Sequence, residues 1–352
     1  MTDEPRLLWK KLTHHHLIVG EFTPQTDDLR NWYTDAFQAI SAWLAAIFGL
    51  GFFGFMLGDL IKSPLITGSL ASLLIGAGYL TFRHSDSLLK TNLAFVFSLT
   101  GQFLAAVCFF GLYENNQDNE MTASMLLVEI LLVSFISHSL HRTLSCLFAA
   151  SLFCFLLLIN DYQFLATGIL LALVSYLILT EFHSPKSQKV KSALYSGLIP
   201  ALLAAQIFIQ ADSSSTAANS SLRLSAELLN TAVLVGLVAV LLFNRSTAIK
   251  FWPKLAALVM TVFVSVLSYH ANGLTVGVVL VLLGFSSGQR LIQGLGIVSM
   301  LLFLSWYYYD LESLLIDKAY TLGMLGCTLL IARWGILSLI DIDNESDTES
   351  KS

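Results

Sequence analysis

Twelve apolar stretches follow one another along this chain, near 37–58, 64–82, 92–113, 122–140, 143–160, 163–182, 193–210, 226–243, 255–271, 273–287, 291–309 and 319–339, with short polar joints between them. Most reach the roughly 17 to 25 residues that a helix needs to cross about 30 Å of hydrocarbon. Lipid offers a backbone nothing to bond with, so each stretch must close its hydrogen bonds within itself, which leaves helices. The expected fold is an all-α, polytopic transmembrane bundle of about twelve spans. Residues 255–287 can be read in two ways, because two short runs meet there at His270-Ala271-Asn272-Gly273. As a re-entrant hairpin they lower the total to ten and leave every other loop on its side.

Threading the stretches through a bilayer in turn puts sixteen of the nineteen Lys and Arg residues on one side. Only Lys62, Arg223 and Lys318 fall on the other. Basic loops stay in the cytoplasm, so both termini are expected there, in an N-in/C-in arrangement. Only 12% of residues are charged and 55% are hydrophobic, with mean hydropathy +0.72, against about 25% charged in soluble domains. Three parts follow: a cytoplasmic segment 1–36, a membrane domain 37–340 and an acidic cytoplasmic tail 341–352. Within the first, Leu7, Leu8, Trp9, Leu12, Leu17 and Ile18 lie among Arg6, Lys10 and Lys11, a pattern that suits a helix on the membrane surface or one packed on the protein. No cleavage-site pattern follows the first span, which is expected to stay as an anchor.

Few residues offer chemistry. An ionisable side chain inside a span costs about 2.5 to 3.5 kcal/mol at the helix centre on insertion scales, which makes each one a functional candidate. Glu129 is the deepest, about 10 Å inside its helix at 1.5 Å per residue. It is either a proton or cation site or an acceptor for Gln102, Gln206 or a hydroxyl. His138 and His141, spaced i, i+3 beside Arg142, are expected at the cytoplasmic end of that same helix, where water and headgroups account for them. Arg333 stands one turn inside the last span and can snorkel. Glu181, Glu227 and His270 are placed at interfaces.

The four cysteines lie inside apolar stretches without Cys-x-x-Cys spacing, and so read as small hydrophobes. His14, His15 and His16 point about 100° apart on a helix, so at most two can ligate one ion. Gly49-x-Gly51-x-x-Gly54 lacks the strand and the acid of a dinucleotide site. Gly54-x-x-x-Gly58, Gly273-x-x-x-Gly277 and Gly284-x-x-x-Gly288 are instead expected to let helix backbones approach closely. No hydrolase, Walker or zinc-protease pattern occurs, and no basic aromatic surface suits nucleic acid. No enzyme, metal or cofactor is therefore expected. Trp306, Tyr307, Tyr308 and Tyr309 form an expected aromatic belt at the outer interface, followed by Asp310, Glu312, Asp317 and Lys318. This corner is read as an anchor and a candidate docking surface.

From Gly288 the chain runs Gly-Gln-Arg-Leu-Ile-Gln-Gly-Leu-Gly-Ile, then Leu-Ser-Trp-Tyr-Tyr-Tyr-Asp-Leu-Glu-Ser-Leu-Leu-Ile-Asp-Lys, and later Ala-Arg-Trp at 332–334. This block resembles the C-terminal signature of a bacterial family of integral membrane proteins classed only as a domain of unknown function. A weaker likeness covers Trp32-Tyr33 and Trp43-Leu44-Ala45-Ala46 with the glycines after them. The resemblance implies a bacterial inner-membrane setting and membrane companions, among them a second such family and proteins with a GDYXXLXY motif, and it transfers no catalytic residue. The expected role is a non-enzymatic subunit or scaffold of a cell-envelope assembly, with the bilayer and other integral membrane proteins as partners. The alternative is a secondary transporter, favoured by a six-and-six division at the basic loop 183–192 and by short Gly-interrupted helices. The missing Gly-x-x-x-Asp-Arg pattern near 83–90 and the absence of a repeat between the halves count against it.

Overall fold

The computed structural model describes residues 63–84, 88–113, 117–181, 185–211, 220–244, 251–268 and 273–309, with isolated residues in the two outermost stretches. Among the described residues the chain forms ten helices and no strand. They are α1 Pro64–Arg83, α2 Leu88–Leu112, α3 Asp118–Phe135, α4 Ser139–Ile159, α5 Gln163–Leu179, α6 Pro185–Ala211, α7 Ser220–Asn244, α8 Phe251–Ser268, α9 Leu274–Ser287 and α10 Arg290–Tyr309. Each coincides with one expected span. Most of spans 37–58 and 319–339, the segment 1–36 apart from Thr13, and the tail 341–352 lie outside the described residues.

Six of the helices are long and apolar enough to cross a membrane: α1, α2, α4, α6, α7 and α10. The other four differ for distinct reasons. α3 has 18 residues but carries Asp118, Glu120 and Glu129. α8 has 18 residues, and its stretch Lys254–Ser265 is apolar. α5 and α9 have 17 and 14 residues, and at 1.5 Å per residue α9 spans about 21 Å, short of a bilayer's hydrocarbon.

α9 holds the middle of the bundle, and α5 packs against it with Ile169, Leu173 and Tyr176 left exposed along one face. Leu171 and Val174 of α5 and Val276, Val279, Leu280 and Leu283 of α9 have no exposed surface, and they share one cluster with Leu202 of α6 and Leu234 of α7. A helix that is apolar on every side belongs inside a protein or a membrane. The long helices stand outside them with large apolar groups uncovered, such as Leu65 at 81%, Phe110 at 75% and Leu291 at 74% exposure. A monomer in water rarely shows so much contiguous apolar surface, whereas lipid covers it at no cost.

Contact between the helices relies on small residues. α1 and α2 pack along each other, and a Cβ at Gly101 would press on the carbonyl of Ala71 at 2.9 Å. α4 meets α6 at Gly197, where a Cβ would strike the Thr143 carbonyl, and Thr143 Oγ1 and Cys146 Sγ donate to the Ala193 and Leu194 carbonyls at 3.1 and 3.4 Å. α9 and α10 form a hairpin in which Gly277 faces Met300 and Gly284 faces the backbone of Gln293. The expected close approach thus holds at Gly277 and Gly284. Gly273 and Gly288 have another role: with φ of 87° and 71° they cap the two ends of α9. At the second end Gln289 N–H reaches back to the Gly284 carbonyl at 2.9 Å, closing a Schellman-type cap. Gly54 lies outside the described residues.

The hairpin makes a direct prediction. Gly284→Ala puts a methyl group into the Gln293 backbone and should cost about 1–3 kcal/mol through overpacking, lowering the thermal midpoint of the purified protein. Gly294→Ala, where a Cβ has open space, should be neutral or gain up to about 1 kcal/mol in helix propensity. Equal midpoints for the two variants would contradict the packing described for α9 and α10.

Candidate functional site

A polar group is buried where α2, α3 and α4 meet. Ser98 and Gln102 lie one turn apart on α2, as do His141 and Ser145 on α4, so each helix presents a short polar stripe to the other. Ser98 Oγ is 2.6 Å from His141 Nε2, and Gln102 Nε2 lies 3.2 Å from that nitrogen and 3.2 Å from Ser145 Oγ. With the amide donating, His141 Nε2 accepts, and the ring hydrogen sits on Nδ1 facing Ser145 Oγ at 3.5 Å. Phe82 and Phe95 place their rings edge-on to the imidazole. All four polar residues are buried, Ser98 and Ser145 completely.

Glu129 of α3 joins them with 0% exposure. Ser145 lies beside its carboxyl group without reaching hydrogen-bond geometry, and both carboxyl oxygens lack a partner. Gln102 Oε1 is also unpartnered. The guanidinium of buried Arg142, the residue after His141, donates from Nε to the Val133 carbonyl at 2.9 Å. Three buried acceptor oxygens of the cluster, two on Glu129 and one on Gln102, thus lack a donor.

Several expectations are corrected here. His138 and His141 do not share a helix with Glu129, because the chain breaks at 136–138 and His138 caps the start of α4. Water and headgroups do not account for His141, which is 1% exposed. His138 is half-buried, stacks on Phe82 at 4.9 Å between ring centroids, and leaves Nδ1 unpartnered. Gln206 is buried on α6, a helix that packs on α4 and α5, so it is not part of this group. Arg333 and His270 lie outside the described residues. Ser98 and Ser145 are site residues that no motif marks in the sequence. Their i, i+4 spacing to Gln102 and His141 was the available signal.

The aromatic corner also divides. Tyr307 is 8% exposed and packs on Leu274, with Met300 and Leu322 around them, so it belongs to the interior and not to a belt. Tyr308 and Tyr309 are exposed and meet edge to face at 5.2 Å, with Trp306 on the same outward side. Asp310, Glu312 and Lys318 lie outside the described residues.

A second buried group ties the α5–α6 and α9–α10 joints together through Tyr195 of α6. Glu181, at the end of α5, is 3% exposed. It accepts from Gln289 Nε2 at 3.1 Å and from Tyr195 OH at 3.3 Å, and Gln289 Nε2 also lies 2.8 Å from Tyr195 OH. Nearby Lys191 Nζ donates to the Thr180 carbonyl at 2.7 Å. Glu181 is thus a buried, fully satisfied anchor at a helix end. Gln289 sits in the Gly288-Gln289-Arg290 joint, which gives that piece of the C-terminal block a physical role. It holds the α9–α10 turn to α5 and α6.

These features define an all-helical protein with six helices long and apolar enough to cross a membrane, and a buried polar core among them. The chain belongs to the family described as Domain of unknown function (DUF4401), which it matches over residues 31–339. No curated protein and no solved structure shows a significant match to it.

The clasp can be tested alone. Gln289→Leu removes a donor from buried Glu181 and should cost about 1–3 kcal/mol, the penalty for an unsatisfied buried group, lowering the thermal midpoint. Gln188→Leu, at an exposed position of α6, should leave it unchanged. An unaltered midpoint for Gln289→Leu would remove the clasp as a source of stability.

Proposed function

We propose that this protein is a non-enzymatic, multi-pass subunit of a membrane assembly in the bacterial inner membrane, with about twelve crossings, or ten where 255–287 is a re-entrant hairpin, and both termini in the cytoplasm. The observation that carries the reading is the closely filled centre of the bundle. α5 and α9 are locked among α6, α7 and α10 by side chains with no exposed surface, an arrangement suited to a rigid part. A cavity of about 670 Å3 between α1, α2 and α3 is lined almost wholly by apolar groups, among them Ala71, Ile75, Phe109 and Leu132, and Glu129 is not in its lining. A second, of about 270 Å3, lies between α4, α5 and α6 and is also mainly apolar. A transporter of polar solutes needs a polar-lined chamber near mid-membrane, and neither cavity supplies one. The proposed partners are lipid and other integral membrane proteins, including the companion families that the resemblance implies.

A second reading, secondary transport, draws on one observation: the unpartnered carboxyl group of Glu129. Affinity purification of the full chain from native membranes separates the two. The subunit reading expects a stable companion protein at fixed stoichiometry. A lone chain carrying a bound small solute would overturn it in favour of transport. The topology has its own test, since reporter fusions at Gln188 and after Lys351 should report cytoplasm and one at Asn116 the periplasm. A periplasmic report at Gln188 would refute the orientation, which rests on the sixteen-to-three division of basic residues.

A further inference from the structure

Among the described residues, several buried polar atoms lack a partner, and Glu129 is the one carboxyl group among them. Most buried side-chain oxygens and nitrogens in proteins have partners, and in this chain the second buried acid, Glu181, receives donors from two residues. Glu129 is buried more completely, and neither of its oxygens has a donor. An ionised carboxylate left so costs several kcal/mol.

The surroundings narrow what can complete it. On α4 the ionisable neighbours are His138, His141 and Arg142; the Arg142 guanidinium bonds from Nε to the Val133 carbonyl, and His141 is held between Ser98, Gln102 and Ser145. On α2, Lys90 is exposed at the far end from Tyr113, and Cys108 faces α1 through the Pro64 carbonyl. On α1, Tyr79, Arg83 and His84 are exposed. On α3 itself, Asp118 and Glu120 stand exposed in the first turn, about 14 to 17 Å along the axis at 1.5 Å per residue. None supplies a positive charge to the carboxyl group.

We propose that Glu129 is a reversible proton-binding site, reached from the α3–α4 turn past His138 and His141. A proton fits better than a metal cation for a reason of space. Neither the 670 Å3 nor the 270 Å3 cavity includes Glu129, and a metal ion would need room and several oxygens. A proton needs neither: it converts one carboxyl oxygen into a donor, and Gln102 Oε1 is an unpartnered acceptor in the same group. The access side follows from the break at 136–138. There His138 is half-buried with Nδ1 unpartnered, and it shares the Phe82 ring with buried His141. The site stands whether the protein is a subunit or a transporter, since either can carry a proton-linked step.

Infrared difference spectra of the purified full chain in lipid nanodiscs, recorded between mildly alkaline and mildly acidic buffer, read the site directly. A carbonyl band of a protonated carboxylic acid should appear on acidification and vanish on return. It should be lost in Glu129→Gln and kept in Glu181→Gln and Glu227→Gln. Where Glu129→Gln does not survive purification, Glu129→Asp retains the acid and should shift the band's frequency. His138→Phe, which keeps a ring on Phe82, should slow the band's appearance after a rapid pH change without altering its final size. No reversible band, or one identical in the wild type, Glu129→Gln and Glu129→Asp, would overturn the assignment. A band whose titration moves when sodium chloride replaces choline chloride would make this a metal-cation site and also overturn it.

Discussion

Lipid tails are as apolar as leucine, so helices in a bilayer gain little by hiding apolar faces from each other, and this constraint shapes the whole structure. What remains is close van der Waals contact and hydrogen bonds between helices. The chain uses both at its main contacts. Gly101 admits α1, Gly197 admits the Thr143 carbonyl, and Gly277 and Gly284 admit α10. Around these points hydroxyl and thiol groups reach across to a neighbouring helix, as Thr143 and Cys146 do to α6, Thr231 to Ser265 of α8 at 2.7 Å, and Ser268 to Thr275 of α9 at 2.9 Å.

The same constraint explains the order of the helices in space. A short helix cannot span the hydrocarbon unaided, but it needs no lipid contact when protein surrounds it. α9 takes that central place, α5 packs against it while leaving Ile169, Leu173 and Tyr176 exposed along one face, and longer helices present Leu and Phe outward. The two buried polar groups then divide by chemistry. The Glu181–Tyr195–Gln289 group is closed, with each acceptor met, and it binds the α5–α6 and α9–α10 joints to α6. The Ser98–Gln102–His141–Ser145 group joins α2 to α4 with side chains, and it leaves Glu129 open.

Helix positions were legible in the sequence because each depends on a local property, a run of apolar residues, and all ten described helices lie where such a run does. What the sequence did not disclose depends on neighbours distant along the chain. The break at 136–138 interrupts an apolar run without Pro or Gly, so His138 and His141 read as one continuous helix with Glu129. Tyr307 looked like Tyr308 and Tyr309 because adjacent residues on a helix point about 100° apart, and only the packing of α10 on Leu274 says which one faces inward. Glu181 and Gln289 are 108 residues apart, and no spacing rule connects them. At Gly284 and Gly288 the pattern pointed to packing for both, and backbone conformation gave them different roles.

The account stands on a closed, dry interior built around α5 and α9. The most direct test is the water accessibility of positions there. Single cysteines placed at Val174, Leu202 and Leu280, all with no exposed surface, in a background lacking Cys108, Cys146, Cys154 and Cys327, are probed in native membranes with a small, membrane-impermeant thiol reagent. All three should stay unlabelled until the protein is denatured, while a cysteine at exposed Gln188 reacts once the membrane is opened. Ready labelling at Val174 or Leu280 in the folded protein would reveal a water-filled path through the centre and contradict the account.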